Sequence, residues 1–439
     1  MKARLALTAA VCAMLCACAG PSLRYRQDVN DLFARGEFEA AEAKIRQNRN
    51  KVYGKNNEAL FLLDLSQAQS AARRNEESSR SLAAAQDKID ELFAVSITQT
   101  LGTLIINDNT QPYRPPPYEQ ALTHFFRAMD YLSLDNLSSA GVEARRAVFF
   151  LDNLRSHKRS GYNDDPFIQF FASMIFEDMG NMSSARIARA NARNAYEAQA
   201  GWHVARPPDF QPPQGHRDMG EAVIFHFNGR APLKISKEIM FAWNDIWFAV
   251  QGNSDLHGVS GDVINAVYAG AFGNSITISF PEFTDSQYII ESSTVSVVAQ
   301  DGQQQRTQFV ADIASQARQA LREDLTMNQV RMITRAVTKY ILSVQARNLV
   351  KKQTGNQTAG ALTGMIFSVF SNVTERADTR SWFTLPAEIR MANLFLEPGV
   401  YDIKITFFNR ENAPVDEYLF EKVQINKGRR TYLYRRTAR

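Results

Sequence analysis

Three thiols, six imidazoles and 46 carboxylates are the groups in this 439-residue chain that could do chemistry. The thiols, Cys12, Cys16 and Cys18, all fall within the first eighteen residues. Disulfides and cysteine-ligated metals are therefore excluded for the rest of the chain. The histidines, His124, His157, His203, His216, His226 and His257, contain no pair at i+3 or i+4 and no H-E-x-x-H. A zinc site thus has no sequence basis, and no metal is expected. His226 sits in an apolar alternating run and reads as a packed or hydrogen-bonded strand residue rather than a catalytic one. Gly258-Val259-Ser260-Gly261-Asp262 approaches a nucleophile elbow, but that turn needs glycine two residues to either side of the serine, and Asp262 fills the second place. There is no G-x-x-x-x-G-K-[ST] phosphate loop, and no cofactor is expected. A carboxylate pair assembled only by folding leaves no mark in a sequence, so a glycan-acting or glycan-binding protein stands as an alternative to a non-enzymatic one.

The thiol with the most informative surroundings is Cys18. Lys2 and Arg4 precede an apolar run from Leu5 to Met14, the charged and apolar regions of an export signal. The run is shorter than the roughly 20 residues of a transmembrane helix, and nothing after Met14 reaches that length. It ends in Leu15-Cys16-Ala17-Cys18, which resembles the lipobox of bacterial lipoproteins, with an aliphatic residue at −3, a small one at −1 and the thiol itself. The resemblance implies cleavage before Cys18 and acylation of its sulfur, and Ala19 in place of Asp implies sorting to the outer membrane, on its periplasmic side. Cys16 departs from the Ala, Ser or Val usual there, and Ala17-Cys18-Ala19 also reads as an A-x-A-like site for ordinary signal peptidase. Residues 1–17 are thus expected to be a signal peptide and 18–27 a lipidated tether.

Net charge is only +4 with the Lys and Arg residues scattered, so nucleic acid is not expected as a partner. With 45% hydrophobic and 22% charged residues, the mature chain is of ordinary globular composition and long enough for two or three domains of about 100 to 200 residues.

Residues 28–205 carry apolar side chains at helical spacing, with prolines confined to 112, 115, 116, 117 and 166, where they punctuate helices. A short pattern recurs at Gly36 to Ala41, Asp135 to Ala140 and Gly180 to Ala185: a turn residue, an apolar residue two later and Ala five later. It resembles the turn of a tetratricopeptide helix pair, and Ala144, Ala147, Ala188 and Ala192 fall at or near the small positions of the helices that follow. The turns at Asp135 and Gly180 lie further apart than the 34 residues of a standard repeat, and the polar insert Asn153 to Asp165 accounts for the excess. The expectation is a TPR-like all-α domain, offering a concave surface to a partner protein, against the plainer reading of a generic helical bundle. Tyr113 to Tyr118 reads as a stiff connector between helix pairs or as a polyproline recognition segment.

Arg206 to Gly215 can be neither helix nor regular strand, and residues 206–219 are read as a Pro-rich linker. Residues 220–439 are expected to form an α+β domain. Glu221 to Asn228 and Ser275 to Phe280 read as strands, Arg306 to Lys352 as at least two helices broken near Asp324 to Met327. The end reads as an antiparallel β-meander through Gly399 to Phe408, Glu417 to Ile425 and Thr431 to Tyr434. Gly355 to Val373 combines Gly360 and Gly364 with an apolar stretch. It reads as a Gly-rich helical hairpin or as a membrane-dipping segment, the latter motivating an alternative as a membrane-active subunit of an export or surface assembly. The basic finish, Arg429, Arg430, Arg435, Arg436 and Arg439, reads as the solvated edge of the last strand or as a surface for acidic groups.

Ala377 to Tyr401 contains Asp378-Thr379-Arg380-Ser381-Trp382, then Leu385-Pro386 and Pro398-Gly399-Val400-Tyr401. With the lipobox and the helical first half, this stretch resembles an uncharacterised family of proteobacterial envelope lipoproteins, and no catalytic motif comes with the resemblance. Asp378 and Arg380 are expected to form a charged pair beside an aromatic anchor, Trp382, either as a structural corner or as a partner-binding surface. Together these features predict a non-enzymatic scaffold or regulator of an envelope assembly, held at the membrane by its lipid and working through protein partners.

Overall fold

Tyr25, Val29 and Phe33 recur every four residues behind Ser22, whose Oγ accepts from the Tyr25 amide at 3.2 Å, and so the first helix closes earlier than the expected tether allows. In the computed structural model, which describes residues 20–96, 111–156, 164–210, 218–242, 275–298, 304–325 and 377–439, the helical row begins at Leu23. The helices are α1 (Leu23–Ala34), α2 (Phe38–Gln47), α3 (Glu58–Ala71), α4 (Asn75–Ser96), α5 (Pro117–Ser133), α6 (Leu137–Ser156), α7 (Pro166–Asp178) and α8 (Met182–Gln199). They form successive hairpins, each helix packed on the next. The three expected turns lie at Gly36, Asp135 and Gly180, all with positive φ, and the sequence pattern missed a fourth at Arg73 (φ 64) between α3 and α4. There Arg occupies a backbone conformation that Gly or Asn normally fills, so composition gave no turn signal.

Two kinds of helix alternate. The first helices of the pairs, α3, α5 and α7, are buried around most of their circumference. The second helices of the last two pairs bury one small-residue stripe, Ala140, Ala144 and Ala147 in α6 and Ala185, Ala188, Ala192 and Ala195 in α8.

The strands are β1 (Gly220–Asn228), β2 (Leu233–Ala242), β3 (Ser275–Thr284), β4 (Ser292–Val297), β5 (Gln304–Arg306), β6 (Gln308–Asp312), β7 (Glu388–Leu396), β8 (Gly399–Phe408), β9 (Pro414–Ile425) and β10 (Arg430–Arg436). One sheet has the order β10-β1-β7-β6, a second β5-β4-β8-β9, and β2-β3 form a separate ribbon. The first sheet is a middle layer. Val223, Phe225, Phe227, Met391 and Tyr434 share a core with the helices, while Ala222, Ile224, Ala392 and Leu394 from the same strands pack against Val295, Ile403, Ile405 and Phe407 of the second sheet. Burial on both faces is why β1 reads as an unbroken apolar run.

Three expectations are corrected here. The terminal meander holds only for β8 and β9, because β10 leaves it to pair in parallel with β1. The turn at Gly428 (φ 67) redirects the chain, since Leu433 must face the second sheet while Tyr434 faces the helices, and only the middle layer offers both. The helix expected from Arg306 starts at residue 313, with 308–312 a strand; Asp312 caps it, its Oδ1 accepting from the Ser315 amide at 2.9 Å. Its continuation beyond residue 325, and Gly355 to Val373, lie outside the described residues. Finally, the Pro-rich stretch does not separate two cores. The Arg206 amide donates to Phe309 O at 3.2 Å, the Asp209 amide to Gln308 Oε1 at 2.8 Å, and one apolar core runs from α1 to β10.

Candidate functional site

The first helices of the pairs turn their faces to the chain's own C-terminal half. Phe125 and Phe126 of α5 and Phe171 of α7 meet Phe225 and Phe227 of β1 edge to face, with centroids 5.4 to 6.4 Å apart. Beside this aromatic seam, residues 378–385 run without helix or strand, turning at Phe383 and Thr384, against α3 and α5, and the expected site residues lie here. Arg380 pairs with Asp378 at 2.7 Å, and its Nη1 also donates to Asn57 Oδ1 (3.0 Å) and Gln111 O (2.8 Å). Burial alone would raise the Asp378 carboxyl, but the Arg380 charge and hydrogen bonds outweigh it and hold the pKa below the usual carboxylate range. Trp382 is buried edge to face with Phe126 at 5.9 Å, and its amide donates to Glu119 Oε1 at 3.0 Å. Arg380 and Trp382 are thus enclosed in this corner of the fold, with Asp378 partly exposed beside them.

Two carboxylates that the sequence did not single out complete the corner. Glu119, at the start of α5, accepts from Tyr113 Oη (2.5 Å) and Tyr118 Oη (3.0 Å) as well as from the Trp382 amide. Asp64 of α3 accepts from Tyr53 Oη (3.0 Å) and Thr384 Oγ1 (2.9 Å). Burial raises both pKa values, Asp64 well above the carboxylate range, and the hydrogen bonds only partly oppose it. Both side chains are fully enclosed, so neither can meet a substrate in this arrangement. Tyr113 to Tyr118 is accordingly a connector whose tyrosines are consumed by Glu119.

The basic C-terminal finish also divides. Arg430 is half-buried in a cluster with Glu177 (2.9 Å), Asp178 (2.8 Å) and Glu221 (2.7 Å), locking β10 to α7 and β1. Tyr434 Oη donates to Ser70 O at 2.8 Å, and the Arg73 guanidinium lies 4.2 Å over its ring. Arg436 is buried against Phe227 O. Arg430 and Arg436 thus bind the halves together, whereas Arg429 and Arg439 of the same basic finish are exposed.

His226 is enclosed between Ser293 Oγ (2.9 Å) and Thr437 Oγ1 (2.7 Å), and burial pushes its pKa well below the ordinary value. It is the hydrogen-bonded strand residue its context suggested. Among the described residues no group of three or more His, Cys, Asp or Glu side chains is placed to hold a metal, and no helix is long and apolar enough to cross a membrane. What stays open is the outer helical layer, where Phe149 of α6 and Ile187 of α8 are exposed. Cys18 and Gly258 to Asp262 lie outside the described residues. Comparison with protein-family models, curated proteins and solved structures gives no match.

Proposed function

We propose that the chain is an outer-membrane lipoprotein, acylated on Cys18 and facing the periplasm, that serves as a non-enzymatic scaffold for an envelope assembly. Its helical row is TPR-like, with repeats lengthened and joined to a β-sandwich that fills the groove such repeats usually offer to a partner. The observation that carries the reading is this division of the helices. The inner faces hold residues 378–385 and 430–436 of the same chain, whereas α6 and α8 turn Phe149 and Ile187 outward. A partner is thereby directed to the outer layer. Asp64 and Glu119, being enclosed, would not serve as the pair of the glycan-hydrolase alternative, since such a pair must reach the glycosidic oxygen and a water.

Two measurements test the reading. Intact mass of the membrane-fraction protein is expected to equal residues 18–439 plus acyl groups, and to lose the acyl mass in Cys18→Ala. A photo-crosslinking residue at 149 or 187 in living cells is expected to capture the same discrete envelope protein, a product lost on Phe149→Glu. A chain starting at Gly20 without acyl groups would remove the anchor, and the absence of any product from both positions would remove the scaffold role.

A further inference from the structure

Two peptide units join Cys18 to Gly20, so their Cα atoms lie within about 7 Å of each other. Gly20 is packed onto the corner: a methyl group added there would come within 2.8 Å of Arg380 Cγ and 3.7 Å of Asn57 Oδ1. Pro21 is buried and Ser22 caps α1, so there is no slack before the folded body. An acyl chain on Cys18 would therefore hold against the bilayer the surface around Gly20, namely the start of α1 and the turn that leads from α2 to Asn57.

That surface carries one sign of charge. Residues 20–27 and 43–57 hold seven Lys and Arg side chains and no Asp or Glu. Four of the seven are engaged within the protein. Arg26 Nη1 donates to Thr379 O and Lys234 O, each at 2.9 Å, while Lys44 pairs with Asp28 (2.9 Å), Arg46 with Glu42 (2.7 Å) and Arg49 with Glu58 (2.5 Å). The other three, Arg24, Lys51 and Lys55, are exposed and form no ion pair among the described residues. One buried contact sets the place of all three. Tyr25 and Tyr53 face inward and meet edge to face at 6.0 Å, which turns Arg24 beside the first, and Lys51 and Lys55 two residues to either side of the second, toward solvent. Asp28, one helical turn after Arg24 on the same face, meets Lys44 near the end of α2, so in the α1-α2 hairpin Arg24 lies beside the turn that bears Lys51. We infer that Arg24, Lys51 and Lys55 bind the anionic phospholipid headgroups of the leaflet that holds the acyl chain of Cys18. The inference rests on the lipid-anchor reading and adds an electrostatic contact that orients the body on the same bilayer. A Lys or Arg near an anionic surface strengthens attachment about fivefold, and an acyl chain joined to such cations makes a two-signal anchor.

The test uses full-length acylated protein in vesicles of phosphatidylethanolamine with either phosphatidylcholine or phosphatidylglycerol, each holding a trace of nitroxide-headgroup lipid as a contact quencher. Acylation consumes the Cys18 sulfur and no other cysteine follows it, so Asn50→Cys, on the exposed turn, provides a single free thiol for a fluorophore. Quenching at position 50 is expected to be roughly twofold or more greater with phosphatidylglycerol, and to return to the neutral-vesicle level at about 1 M salt, where the screening length is about 3 Å. Combining Arg24→Gln, Lys51→Gln and Lys55→Gln in the labelled protein is expected to abolish the difference while leaving the acyl mass and the far-ultraviolet spectrum unchanged. Lys51→Gln and Lys55→Gln taken singly, each reducing the difference, serve should the triple variant fold poorly. A label at Ser183→Cys on α8, at the other end of the helical row, is expected to respond to neither lipid nor salt. Equal quenching at 50 in the two kinds of vesicle, in protein of confirmed acyl mass, overturns the headgroup contact while leaving the anchor intact. So does a phosphatidylglycerol effect that survives all three substitutions, which would put the anionic contact elsewhere on the chain. A mass without acyl groups overturns the anchor and the headgroup contact together.

Discussion

Arg380 is committed to several partners at once: Asp378, Asn57, the Gln111 carbonyl and the face of Tyr113 at 5.6 Å. Removing the guanidinium would leave those acceptors without a donor, and breaking such a pair from one side costs about 3 kcal/mol. Arg380→Ala is therefore expected to lower the urea midpoint by that order, and Arg380→Lys to recover only part, because an ammonium cannot reproduce the fork. Asp165 makes the opposite kind of prediction. It caps α7 and accepts from Gln316 Nε2 at 2.8 Å, and burial raises its pKa to about 6. Because the folded pKa lies above the unfolded one, the folded state keeps the proton longer, and stability from this group falls as pH rises from about 4 to about 6. Asp165→Asn removes that proton. Its stability relative to the parent should rise by up to about 3 kcal/mol between pH 4 and pH 7.5, the free energy of moving the carboxyl from its ordinary value to about 6; a constant difference in urea unfolding across that range would refute the assignment. Asp378, Arg380 and Trp382 stand out in the sequence through the D-T-R-S-W resemblance, whereas Asp64 and Glu119 do not. A lone acid on a helix reads as a solvated face, and only the crossing of residues 378–385 makes it an interior acceptor.

At the level of elements, periodicity revealed the paired helices and three of their four turns, because Gly and Asp at the turns and Ala on the following helices leave a local pattern. It could not say which helix of a pair faces inward, since that depends on the sheet against which Phe125, Phe126 and Phe171 pack. The sheet was less legible. β7 and β10 take their places from partners about 170 and 210 residues away along the chain, β1 in both cases, and nothing local encodes that pairing. The shared core leads to an outcome that a two-domain chain would not give. Residues 18–205 expressed alone would expose Phe125, Phe126, Phe167, Phe171 and Trp-facing surface of α5, an apolar area too large for a soluble monomer. That fragment is expected to aggregate or bind apolar dyes strongly. In the intact chain Arg430→Ala should shift helical and near-ultraviolet signals in one coincident transition. A monomeric, cooperatively folded fragment would show the halves to be independent.

For the whole molecule, the order of layers sets what can meet a membrane and what can meet a protein. The helices, the middle sheet and the outer sheet are stacked, and Gly20, Arg26 and Arg380 lie at one corner of that stack, where Arg26 donates to the Lys234 and Thr379 carbonyls. With two peptide units between Cys18 and this corner, acylation would fix orientation as well as location, leaving the exposed faces of α6 and α8 at the far end of the helical row to address the periplasm. Orientation through a short tether is separable from attachment. Inserting twelve Gly and Ser residues between Ala19 and Gly20 would keep the acyl group and the fold but give the body a flexible reach of roughly 20 Å. Membrane association should then be unchanged, while the crosslinked product from positions 149 and 187 falls. Undiminished crosslinking would mean that the tether sets location and not orientation, and loss of association would mean that the acyl group alone does not hold the body at the membrane.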